Sequence, residues 1–199
     1  MISTEDIKQL EDSCRIPKVT LMENAGRGIY NTIKEKFPDL KEKRILIVAY
    51  HGNNGGDGFV AARLLCEEAE TDILFIGDES KFKEEAAINF KRIENNERIQ
   101  ILIEPEQIDF DDYDIIIDAM LGTGAIGELK EPISSIIDLI NDSKAYKIAV
   151  DIPTGIDPDT GEIAEKAVNA DLIITFHDIK RGLEKFKDKT VIVDIGINS

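Results

Sequence analysis

Seven short apolar runs, rich in β-branched residues, recur along the chain: RILIVAY (44–50), TDILFIG (71–77), IQILI (99–103), YDIIIDAML (113–121), YKIAVDI (146–152), DLIITF (171–176) and TVIVDIG (190–196). They lack the apolar/polar alternation of a half-exposed strand, which predicts strands buried on both faces. Between most of them lie segments with helical spacing, DGFVAARLLCEEAE, ESKFKEEAAINFKRIENN and PISSIIDLINDS. Two more, STEDIKQLEDSC and VTLMENAGRGIYNTIKEKF, precede the first strand. Strands alternating with helices predict an α/β fold, a mostly parallel sheet covered on both faces by helices and joined by right-handed crossovers. No internal repeat, low-complexity tract or Pro/Gly/Ser-rich linker divides residues 1–199, so one domain is expected.

Ligands of such sheets bind outside the carboxyl ends of the strands. Four glycine-bearing polar loops fall there: HGNNGGDG after the first run, GTGAIG after the fourth, DIPTGIDPDTG after the fifth and HDIKRG after the sixth. The first opens a helix, whose free N–H groups and dipole favour an anion. It lacks the Lys and Ser/Thr of a P-loop. Asp57 reads as a cap of that helix, whereas the paired Asn53 and Asn54 offer amide and carbonyl oxygens to a polar ligand or a hard cation. GTGAIG (122–127) fits G-x-G-x-x-G, but ELKEP intervenes before a helix, so it reads as a loop that admits a ligand to the backbone rather than as a dinucleotide fingerprint.

Asp118 and Asp151 end strands on this edge. Desolvation there makes each a candidate acid or base, although Asp118 can equally serve the glycine loop beside it. DPDTG (157–161) lacks the distal glutamate of a calcium loop and reads as a solvated turn. His51 and His177 have no third ligand in register and receive no role. Lys180 reads as a partner for substrate phosphate or as a surface ion pair.

Charge narrows the function classes. With 24 basic against 40 acidic residues, a formal net charge of -16 repels nucleic acid and anionic membrane. Cys14 and Cys66 fit neither a disulfide framework nor a metal spacing, no apolar run approaches the length of a membrane span, and the acidic N-terminus does not resemble an export signal. A cytoplasmic protein is expected.

Taken together, LMENAGRGI (21–29), GNNGGDGFVAARLL (52–65), DAMLGTGAIGEL (118–129), DIPTGIDPDTGE (151–162) and TFHDIKRGL (175–183) resemble the YjeF N-terminal domain of the NAD(P)H-hydrate epimerase family. The resemblance implies a Rossmann-like three-layer αβα sandwich, often a homodimer, that interconverts the R and S forms of the C6-hydrated nicotinamides NADHX and NADPHX. It implies substrate contacts from Asn53, Asn54, Gly55, Gly56 and Asp57, from Gly122, Thr123, Gly124, Ala125, Ile126, Gly127 and Glu128, and from Asp151. It also implies a potassium ion on Asn54, Asp118 and Thr154; Thr154 stands where serine is common and keeps the hydroxyl. Relatives often carry a dehydratase domain as well, so a stand-alone form working with a separate dehydratase is expected here. Asp151 is the expected catalytic group. A non-catalytic binding module on the same fold is the alternative.

Overall fold

The computed structural model describes residues 1–124 and 129–197. Two helices, α1 (Thr4–Ser13) and α2 (Lys18–Lys36), precede β1 (Arg44–Ala49). Then follow α3 (Asn53–Leu65), β2 (Glu70–Phe75), α4 (Glu84–Glu94), β3 (Ile99–Leu102), β4 (Ile115–Ala119), α5 (Ile133–Asp142), β5 (Tyr146–Val150), β6 (Leu172–Phe176), a 3-10 segment (Arg181–Lys189) and β7 (Thr190–Val193). All seven predicted strands are present. They form one sheet in the order β3-β2-β1-β4-β5-β6-β7, and every pairing is parallel.

The unbroken apolar runs are explained by two cores, one on each face of the sheet. Because successive side chains of a strand point to opposite faces, β1 sends Ile45, Ile47 and Ala49 into one core and Leu46 and Val48 into the other. The first core is closed by α2, α3 and α4, through residues such as Ile29, Phe59 and Phe90. The second is closed by α5, whose Ile133, Ile136, Ile137 and Ile140 recur at helical spacing, and by loop residues including Val168 and Leu183. The result is three layers, with one face helix-rich. Neither the β5–β6 nor the β6–β7 connection contains an α-helix.

One boundary differs from the sequence reading. The glycine-rich stretch after β1 is not a loop leading into a helix at Asp57; it is already α3, which starts at Asn53 with Gly52 as its N-cap. Tertiary packing overrides the poor helix propensity of glycine because each of these positions admits no larger side chain. A Cβ on Gly55 would lie 1.8 Å from the Tyr50 carbonyl oxygen, one on Gly56 2.5 Å from the Met22 side chain, and one on Gly58 2.8 Å from Ala119. Asp57 therefore stands in the second turn and is not the cap.

Candidate active site

The strand order reverses between β1 and β4, since β2 and β3 continue outward on one side of β1 and β4 begins the other. That switch point is where sheets of this kind leave a crevice. Asn54, from α3 after β1, and Gly122, after β4, meet in it: a Cβ on Gly122 would lie 3.3 Å from the Asn54 Cβ. Asn54 is buried, and among the described residues neither its Oδ1 nor its Nδ2 has a hydrogen-bond partner. A buried, unpaired amide is rare in a folded protein and points to a missing partner.

Near the end of β4 stands Asp118, which is 1% exposed. Its Oδ1 accepts from the Met120 N–H at 3.2 Å and the Thr154 hydroxyl at 2.7 Å, and its Oδ2 from the Thr154 N–H at 2.8 Å. Burial pushes this carboxyl up to about 6, against the pull of those three donors. The Thr154 hydroxyl also accepts from the Leu121 N–H at 3.1 Å, so it ties the loop after β5 to the loop after β4. Thr154→Val leaves the Leu121 N–H unpaired and removes one of the two donors to Asp118 Oδ1. It is expected to destabilise the fold by about 1–3 kcal/mol, with Thr154→Ser close to the parent; thermal melting of the two variants checks this.

The donor set of the Asn54 amide, the Asp118 carboxylate and the Thr154 hydroxyl consists of hard oxygens, suited to an alkali or alkaline-earth cation rather than a soft metal. The unpaired Asn54 oxygen is the observation that fits a bound ion. Among the described residues, no group of three or more His, Cys, Asp and Glu side chains gathers as a metal centre.

Asp151 follows β5 in the left-handed region, φ +64°, a conformation that non-glycine residues seldom hold outside turns and functional sites. The turn aims its carboxylate at Lys180. The Lys180 Nζ lies 2.5 Å from Asp151 Oδ1, and it also donates to Thr175 Oγ1 and to the Phe176 carbonyl, both at 3.0 Å. Lys180 is 1% exposed. This corrects the reading of Lys180 as a surface or phosphate-pairing cation: all three of its donors are used inside the protein, and it is the buried counter-charge of Asp151.

Asn53 and Asp57 line one cavity together with Glu11, Lys18, Glu85 and Phe176. Burial, reinforced by the charges of Asp151 and Glu11, drives the Asp57 carboxyl well above the ordinary range, and Lys180 opposes the shift. Glu11, on α1, is likewise raised by burial and by Asp151. Sequence reasoning missed it, although the signal was present: Glu11 falls on the helix face of Ile7, Leu10 and Cys14, where a charge is out of place.

The other expected positions divide. Thr123 and Gly124 lie in a turn after β4. Ala125, Ile126, Gly127 and Glu128 lie outside the described residues. The DPDTG stretch is a turn in which Asp157 Oδ1 accepts from the Asp159 and Thr160 N–H groups, and it is packed rather than fully solvated, with Gly161 beneath Gly182. His51 accepts from the Asp78 N–H through Nδ1, a contact that ties neighbouring loops.

The sequence of this site matches a known family model, YjeF-related protein N-terminus, over residues 18–182. The chain belongs to this family. Among curated relatives of this YjeF-related chain, the bifunctional NAD(P)H-hydrate repair enzyme Nnr of Archaeoglobus fulgidus is 43% identical over 98% of this chain and 41% of its own length. The NAD(P)H-hydrate epimerase of Nitrosopumilus maritimus is 40% identical over 87% of this chain and 81% of its own. That of Rhodopirellula baltica is 38% identical over 92% and 77%. The chain thus spans about two-fifths of the length of the bifunctional relatives. A yeast protein of known structure, YNL200c, shares the fold with a TM-score of 0.84 at 21% identity, covering 96% of this chain and 86% of that one. Among the described residues no helix is long and apolar enough to cross a membrane.

Proposed function

We propose that this YjeF-related protein epimerises the hydrated cofactors NADHX and NADPHX, interconverting their R and S forms at C6 of the nicotinamide ring. The observation that carries the reading is the buried Asp151–Lys180 pair at the carboxyl edge of the sheet, in a chain similar throughout most of its length to named NAD(P)H-hydrate epimerases. The hydrated carbon bears a hydroxyl and the ring nitrogen, so it is a hemiaminal. The nitrogen lone pair forms a C=N bond as the C–O bond breaks, and the departing hydroxyl takes, through Asp151, the proton that the Lys180 ammonium of the pair supplies and leaves as water. Water then adds to the opposite face of the planar cation, gives its extra proton back to Asp151, and configuration inverts. One carboxyl group thus serves as acid and base in turn, with Lys180 against Oδ1 giving up the proton in the first step and recovering it in the second.

Asn53 through Asp57 and the stretch from Gly122 to Glu128 hold the dinucleotide in this reading. Asn54, Asp118 and Thr154 would hold a potassium ion, which when bound would supply positive charge to an acidic protein that must bind a pyrophosphate. The S form passes to a separate dehydratase, and two copies of the chain form the working dimer. Helix α2 packs against α3 of its own chain, with Gly26 against Val60, and the dimer is tested by solution mass. A non-catalytic module is not favoured, because the site keeps its acid–base pair.

The test supplies the R epimer of NADHX with an S-specific dehydratase. The protein is expected to accelerate coupled consumption well above the spontaneous rate, more so with potassium than with an organic cation. Consumption at the spontaneous rate in both salts overturns the reading.

A further inference from the structure

The family match begins at Lys18, after α1, yet α1 is tied into the site. Ile2 pairs as a parallel bridge with Lys180: its N–H donates to the Ile179 carbonyl at 2.9 Å, and its carbonyl accepts from the Arg181 N–H at 3.1 Å. Thr4 donates its N–H and its hydroxyl to Asp159, in the loop after β5. Ser3 caps the helix by accepting from the Asp6 N–H. The first turn of α1 is thereby pinned to the loops that carry Lys180 and Asp151. Ile7 is buried, and Leu10, Cys14 and Glu11 follow on the same side, with Leu10 and Cys14 packed on the core.

We propose that α1 is a working part of the site and that Glu11 is a positioning residue acting through Asp57 and the Asp151–Lys180 pair. Glu11 and Asp57 line one cavity. The charged groups around Glu11 are Asp12 on its own helix, Lys18 on α2, Asp57 on α3, Glu85 on α4, Asp151 after β5 and Lys180 after β6. Lys180 has its donors committed to Asp151, Thr175 and Phe176, and Lys18 reaches outward to Asp12. Glu11 therefore adds negative charge beside Asp57 that no neighbouring cation fully offsets, and its like charge favours the form of Asp57 that carries a proton. Asp57 makes no hydrogen bond to any described residue, so that proton is available to a ligand in the cavity. The consequence is a second donor, facing the substrate independently of Asp151.

The use of that proton rests on the epimerase reading; the coupling of Glu11 to Asp57 does not, and the experiment separates them. The Asp57 carboxyl carbon is followed by NMR against pH, its signal identified by loss in Asp57→Asn. Removing the Glu11 charge in Glu11→Gln is expected to lower the Asp57 midpoint by about 0.5 pH unit or more. Glu5→Gln, on the exposed side of α1, leaves it in place. The alkaline limb of the epimerase rate profile moves to lower pH by the same amount, with melting unchanged. If glutamine is not tolerated, Glu11→Met keeps the helix face and gives the same reading. An unmoved Asp57 midpoint in a folded Glu11 variant overturns the proposal. A wild-type protein without epimerase activity overturns the function reading, while the midpoint still decides the coupling.

Discussion

Asp151→Asn is expected to lower epimerase turnover by about 10²–10⁴-fold, the usual contribution of a positioned acid–base group, while substrate binding measured by calorimetry is retained. The substitution keeps size and shape, so the left-handed turn at residue 151 persists; asparagine tolerates that region about as well as aspartate. What changes is charge. Lys180 is left buried without a counter-ion, and breaking such a pair typically costs about 3–5 kcal/mol. A fall in stability therefore accompanies the loss of rate and must be separated from it. The double variant Asp151→Asn with Lys180→Met removes both charges and is expected to regain much of the stability but none of the turnover. Lost binding with normal turnover in the folded single variant would sink the assignment of Asp151.

Gly55→Ala is expected to destabilise the protein by about 3 kcal/mol or more, at or above the upper end of ordinary overpacking, lowering the melting temperature by about 6–12 °C. The cause is local and hard. The added carbon would lie 1.8 Å from the Tyr50 carbonyl oxygen, a backbone atom at the end of β1 that cannot rotate away as a side chain could. Relief requires α3 to move, and moving its first turn carries Asn54 away from Gly122. Activity is thus expected to fall further than stability alone dictates. As a comparison, Gly52→Ala meets nothing within 4 Å, and its melting is expected to stay close to the parent. Equal melting of the two variants would show that the close approach of α3 to β1 is not a constraint.

These two positions also mark what the sequence made legible. The strands were readable because burial on both faces leaves an uninterrupted apolar run, and the carboxyl-edge placement of Asp118, Asp151 and the glycine loops followed from parallel order alone. The start of α3 was not, since its glycines look locally like a loop and are explained only by what they touch: Tyr50, Met22 and Ala119, from separate elements. The burial of Lys180 was also invisible, because it depends on the backbone turning at Asp151 and on β6 lying next to β5. Glu11 was within reach of a period argument, as a charge on the Ile7–Leu10–Cys14 face, but its partners come from five other parts of the chain.

The bridge between Ile2 and Lys180 joins residues separated by nearly the entire chain, and such long-range closures are slow because the entropy of the intervening loop must be lost first. During synthesis the amino end emerges long before its partner exists. The segment that carries Glu11 must therefore wait while six strands are made, and the acid–base pair receives its final surroundings only when β6 has joined the sheet. The catalytic edge is thus among the last parts of the molecule to mature, and an incomplete chain that already holds the glycine-rich turn and Asp118 still lacks a finished proton-handling site.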